Sequence, residues 1–185
     1  VTGTVSVTGA VNLGGLSYIA GNYTKNGALS PLDTTITSLG ADLSVDGKIK
    51  TIAFTNLNSV LGNVAITNQA SVTSIDFSTV TTVGAASSIA ALNVASATSV
   101  NTGGFIATSV TANSATSVAL GQKTAAALTV NAAKASSVTA LNLTAVGALS
   151  VGAAKATIID FPALKTSTSI AISAANSLTV VEFDV

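Results

Sequence analysis

A self-similar unit of about 21 residues is the feature that most restricts what this chain can fold into, because a fixed period of that length dictates a stacked-repeat architecture. Residues 49–60 read IKTIAFTNLNSV and residues 72–83 read VTSIDFSTVTTV. Ile49, Ile52, Phe54, Leu57 and Val60 correspond to Val72, Ile75, Phe77, Val80 and Val83. The same spacing is read at Ile89, Leu92, Val94, Ala97 and Val100, and again at Val138, Leu141, Leu143, Val146 and Leu149. Partial copies lie at Val11, Leu13, Leu16 and Ile19, and at Leu178, Val181 and Phe183.

An apolar doublet with one residue between its members is a second landmark: Leu43/Val45, Val64/Ile66, Leu128/Val130, Leu149/Val151 and Ile170/Ile172. The gap between Val64 and Leu128 has room for two further coils with doublets blurred by alanine, which gives about nine coils in all. Within a coil, Ile75-Asp76-Phe77 and Leu141-Asn142-Leu143 alternate apolar and polar, the period of a strand. Val, Thr and Ile enrichment with Gly, Asn and Ser punctuation opposes helix, despite the alanine content. The expected fold is all-β: one β-solenoid domain over residues 1–185, with coils stacked at about 4.8 Å. Asn22 to Gly27, followed by Ser30-Pro31, carry strong turn residues, so an irregular loop-bearing segment is expected at about residues 20–35.

Composition narrows the function classes. The chain is 48% hydrophobic but 4% aromatic and 8% charged, with no Cys, Met, Trp or His, and arginine is also absent. Polar residues interrupt every apolar run, which argues against a membrane span. Seven Lys balance seven acidic residues, so no basic field draws nucleic acid. A start at Val1 without a signal pattern fits a processed mature chain and an excised piece equally.

Residues 64–84, VAITNQASVTSIDFSTVTTVG, resemble one repeat of the leucine-rich-repeat group, in particular receptor L-domain-like repeats of bacterial surface proteins. The shared elements are the doublet, an LxLxxL-like strand and a Val-Gly turn. Val, Ala and Ile stand where Leu is usual, and the turn lacks a regular Asn. A right- or left-handed β-helix outside that group fits the same residues. The resemblance implies a surface binding or structural role and supplies no catalytic residue.

With no His or Cys, acid–base chemistry would fall to Asp33, Asp42, Asp46, Asp76, Asp160, Glu182 and Asp184. Sugar-processing sites on β-helices also use Arg, His, Tyr or Trp, of which only Tyr18 and Tyr23 are present, so the expectation is that the chain is not an enzyme. Asp42 and Asp46 beside Gly47 hint at calcium, but no spaced DxDxD run accompanies them; no metal or cofactor is expected. Lys134 and Lys155 occupy matching NAAKAS and GAAKAT contexts and are read as an exposed edge that limits aggregation.

Recurrent doublets, Thr37-Ser38, Asn58-Ser59, Thr81-Thr82, Thr98-Ser99 and Thr116-Ser117, predict one polar stripe along the rod. Its side chains satisfy turn backbone groups in one reading; in another they present hydroxyls to glycans or to ice. The final residues, LTVVEFDV, stop inside a repeat, which predicts an open assembly edge at Leu178, Val180, Glu182, Phe183 and Val185. The first functional expectation is therefore an extracellular, self-assembling structural subunit of a surface layer, filament or adhesin stalk. Its partners would be itself or other surface proteins. The alternative is an adhesin module that binds a glycan or a receptor, and an ice-binding protein ranks below it.

Overall fold

The computed structural model describes residues 1–8, 15–27, 35–174 and 180–183. Among the described residues every strand pairing is parallel, and the strands stack as a β-solenoid, as the repeat predicts. A seven-stranded sheet takes its strands from Thr51–Ala53, Ser74–Asp76, Ser99–Asn101, Ser117–Ala119, Ser137–Thr139, Ile158–Phe161 and Val180–Phe183. A six-stranded sheet contains Val5–Thr8, Tyr23–Asn26, Leu43–Asp46, Val64–Thr67, Ser88–Ile89 and Ile106–Ala107. A four-stranded sheet holds Tyr18–Ile19, Ser38–Leu39, Ser59–Val60 and Thr82–Val83. A five-stranded sheet begins at Leu92–Asn93 and Ser109–Thr111, then lengthens into Thr124–Asn131, Ala145–Ala153 and Thr166–Ala174.

The strands form because alternate residues enter one narrow core. Ile52, Ile75, Val100, Val118, Val138 and Ile159 pair in one column and are all buried. The apolar doublets behave as expected: Leu43/Val45 lie on Val64/Ile66, and Leu128/Val130 on Leu149/Val151 and Ile170/Ile172. Ala97, Ala112, Ala115, Ala132, Ala135, Ala153 and Ala156 are buried at the turns, where a larger side chain would force the coils apart. Within the core Phe77 stacks on Phe54 at 6.1 Å and meets Phe105 edge-on at 5.5 Å. Glycine is required where coils cross closely: a Cβ on Gly62 or Gly84 would collide with the backbone at Ala41 or Leu61.

Three expectations change. On its deepest sheet the stack makes about seven turns, not about nine, because residues before Thr51 add strands to the six- and four-stranded sheets but none to the seven-stranded one among the described residues. The two coils between Val64 and Leu128 are present at Ser88–Ile89 and Ile106–Ala107, but coil length is uneven. Hydrogen bonds between equivalent positions span 23, 25, 18, 20 and 21 residues in succession. Consequently Ile75 pairs with Val100, not with Leu92, and the copy starting at Val138 is shifted, leaving Leu141 57% exposed. A period-two pattern recurs several times in each coil, and at Leu141-Asn142 it falls in a turn closed by the Leu143 N–H donating to the Ala140 carbonyl, so apolar spacing alone fixes neither every strand nor its phase. Finally, residues 20–27 are not a loop: Tyr23–Asn26 is a regular strand with Tyr23 and Lys25 buried. Tyr and the Lys stem supply enough apolar surface to take the inward positions. Ser30 and Pro31 lie outside the described residues.

Candidate interaction site

The expected polar stripe divides into two columns on different sheets. Thr37-Ser38, Asn58-Ser59 and Thr81-Thr82 stack along the four-stranded sheet, with Ser38 on Ser59 and Ser59 on Thr82. Thr98-Ser99 and Thr116-Ser117 stack along the seven-stranded sheet, continued by Thr73-Ser74, Ser136-Ser137 and Thr157. In this second column the first hydroxyl of each level donates to the carbonyl one coil earlier, Thr73 to Lys50, Thr98 to Thr73, Thr116 to Thr98, Ser136 to Thr116 and Thr157 to Ser136, at 3.1 to 3.4 Å, while the Ser74 and Ser99 hydroxyls pair with each other at 3.1 Å. Thr37 does the same to Ser17 at 3.0 Å. These protons fasten coil to coil and point along the rod.

A second ladder runs along the corner beside the glycines. The Asn22 side-chain oxygen accepts from the Asp42 N–H, Asp42 Oδ1 from the Asn63 N–H, and Asn63 Oδ1 from the Ser88 N–H, at 3.1, 2.7 and 3.1 Å. Asp42 is thus a rung of a ladder. Asp46 is a separate clamp: its oxygens accept from the Lys48 N–H at 3.0 Å, the Asn68 amide at 2.7 Å and the Gly27 N–H at 3.3 Å, tying three successive coils. The Lys48 N–H first, then the Asn68 amide and the Gly27 N–H, hold its carboxyl below the ordinary 3.8 against an opposing push from burial, with a further lowering from the Lys48 charge. Asp76 Oδ1 accepts from the Ser78 N–H at 2.9 Å in a turn. No group of three or more potential metal ligands occurs among the described residues, which include Asp42 and Asp46. Asp33 and Asp184 lie outside the described residues. Lys134 and Lys155 are exposed in successive turns, each closed by an alanine N–H donating to an alanine carbonyl three residues back.

Of the predicted assembly edge, Val180, Glu182 and Phe183 fall in the outermost described strand of the seven-stranded sheet, paired on one side with Ile158, Asp160 and Phe161. Leu178 and Val185 lie outside the described residues.

A surface feature absent from the sequence-based expectations follows from the 18-residue coil. After Asn101 the chain turns through Thr102, Gly103, Gly104 and Phe105 and enters Ile106–Ala107 directly, omitting a strand over Thr82–Val83. The four-stranded sheet ends there. A cleft of about 760 Å³ opens over the step, with Thr82, Val83, Gly104, Ile106, Lys123 and Leu141 among its lining residues. The six-stranded sheet ends one level later, at Ile106–Ala107, but that edge is closed. The buried Gln122 amide donates to the Ala107 carbonyl at 3.1 Å and accepts its N–H at 2.9 Å, pairing as a strand would. Gln69 bridges similarly, donating to the Ile66 and Ala91 carbonyls at 3.0 and 3.1 Å and accepting from the Asn93 N–H. Neither glutamine was singled out by the repeat; the available signal was an isolated long amide side chain in a chain of small residues.

No helix among the described residues is long and apolar enough to cross a membrane. No protein-family model, curated protein or solved structure matches the chain.

Proposed function

We propose that this chain is a structural rod of the cell exterior, a surface-layer, filament or adhesin-stalk element, that acts by stacking coils against further copies of itself. The observation that carries the proposal is the ladder from Lys50 to Thr157, in which every level presents the same hydroxyl-to-carbonyl contact to the level before it. In a parallel solenoid the two axial edges are complementary to each other. An added copy therefore makes a head-to-tail contact, and such contacts propagate as open filaments. The strand Val180–Phe183 pairs in register with Ile158–Phe161 and is the outermost described strand of its sheet. The leucine-rich-repeat likeness and the Cys-free, Ser/Thr-rich composition support an external location.

The test is sedimentation velocity of the purified chain across a concentration series, alongside Val181→Pro. Proline removes a backbone donor from the strand Val180–Phe183, which weakens pairing at that edge. Growth with concentration that the variant suppresses supports self-stacking; a monomer at every concentration contradicts it.

A further inference from the structure

We propose that the outward edge of Thr82–Val83 is a docking site for an extended peptide of small and β-branched residues ending in a free carboxylate, which joins the four-stranded sheet as its fifth strand. This goes beyond self-stacking and does not depend on it. The site lies on the flank of the rod, at the level where coil length falls from 25 to 18 residues.

The first support is the hydrogen-bonding state of that edge. The Thr82 N–H donates to the Asn58 carbonyl and the Gly84 N–H to the Val60 carbonyl, so residues 82 and 84 face the preceding coil. Backbone groups alternate in direction along a strand, so the N–H and C=O of Val83 face the cleft. Among the described residues no strand pairs with that side of Thr82–Val83. The contrast with Ala107 matters: the fold ends two sheets at nearly the same level and seals one of them with Gln122. An open edge beside a sealed one is a template for strand addition.

The second support is the chemistry of the walls. Val83, Ile106 and Leu141 give the cleft apolar surface, and its volume falls in the range of roughly 300–1,000 Å³ typical of ligand sites. Lys123 is the one charged residue among those lining it, with no carboxylate to offset it, which favours an anionic group on the occupant. Direction follows from topology. Each coil here runs from the seven-stranded sheet through the four-stranded sheet to the six-stranded one, so an added parallel strand begins beside Asn101 and ends toward Ile106 and Lys123. Its C-terminal carboxylate is therefore the group that meets the ammonium. Small and β-branched residues suit the occupant because they match Thr82–Val83, the strand it would join, and Ser59–Val60 below it.

The test titrates the isotopically labelled chain with the synthetic peptide Ac-Ser-Val-Thr-Val-OH and follows backbone amides by NMR. The expected result is a saturable shift of the Val83 amide together with slowed hydrogen exchange there. Backbone N-methylation of the peptide abolishes binding, and amidation of its C-terminus or Lys123→Gln weakens it roughly two- to fivefold. Val83→Pro deletes the cleft-facing N–H, leaves the Thr82 and Gly84 ladder bonds in place, and is expected to abolish binding. If that variant unfolds, the N-methylated peptide decides the question on the unmodified protein. The proposal is overturned by no saturable shift at millimolar peptide, by equal binding of the N-methylated peptide, or by shifts centred on Ala107. A Val83 shift that grows with protein concentration in the absence of peptide assigns the edge to a second copy and also overturns it.

Discussion

The side chain of Gln122 and the backbone of Ala107 pair as two strands would, with one hydrogen bond in each direction at 2.9 and 3.1 Å, both buried. A primary amide has the donor and acceptor spacing of a peptide group, so one side chain stands where a further strand of the six-stranded sheet would pair with Ala107. Removing it strands a buried N–H and a buried C=O. Gln122→Leu is expected to cost about 2–5 kcal/mol in urea unfolding. Gln122→Glu can accept but not donate while ionised, and burial raises its pKa. Its deficit is expected to be large near pH 7 and to shrink as falling pH protonates it, the sign for a group whose folded value is raised.

Asp46 carries the opposite dependence. Its folded value is lowered, so the stability it contributes is present above the unfolded value of 3.8 and is lost as pH falls below it. Asp46→Asn is expected to flatten the acid side of the stability–pH curve while leaving neutral stability closer to the parent than Asp46→Ala, which removes all three acceptor contacts at a cost of about 1–3 kcal/mol. Urea midpoints between about pH 6 and pH 3 separate the two variants.

The hydroxyl ladder predicts small, repeated losses. Thr116→Val keeps the shape and removes the donor to the Thr98 carbonyl, an exposed contact, so it should cost about 0.5–1 kcal/mol. Thr73→Val and Thr157→Val should cost similar amounts and combine additively with it, since they sit on different coils. Thermal melts of single and combined variants give the comparison.

Glycine substitutions should divide by position. Gly84→Ala sets a Cβ against the Leu61 carbonyl and the Ser87 hydroxyl and is expected to cost about 1–3 kcal/mol, or more if the corner cannot shift. Gly3→Ala meets nothing within 4 Å and should stay within about 0.5 kcal/mol of the parent. Chemical denaturation of the two proteins checks the contrast.

Much of the fold was legible because parallel stacking repeats an environment, and Leu43/Val45, Val64/Ile66, Leu128/Val130 and Leu149/Val151 record it directly. The phase beyond Ile75 was not legible. Coils of 25 and 18 residues follow one another, and their average conceals a strand gained and a strand omitted. The Thr/Ser doublets were visible, but their division between two faces depends on that same phase. Tyr23–Asn26 was hidden by turn-forming composition, which tertiary pairing with Val5–Thr8 and Leu43–Asp46 overrides. The cleft over Val83 exists because one coil is short, and the Gln122 seal because the six-stranded sheet stops at Ala107, so a reading built on uniform repeats could not place them.

Electron microscopy of the purified chain at rising concentration, combined with fibre diffraction of any assemblies, tests self-stacking most directly. The prediction is rods that lengthen with concentration and give a meridional repeat of about 4.8 Å, the spacing of coils continued across copies. Single particles of constant length at the highest concentration reached would contradict it.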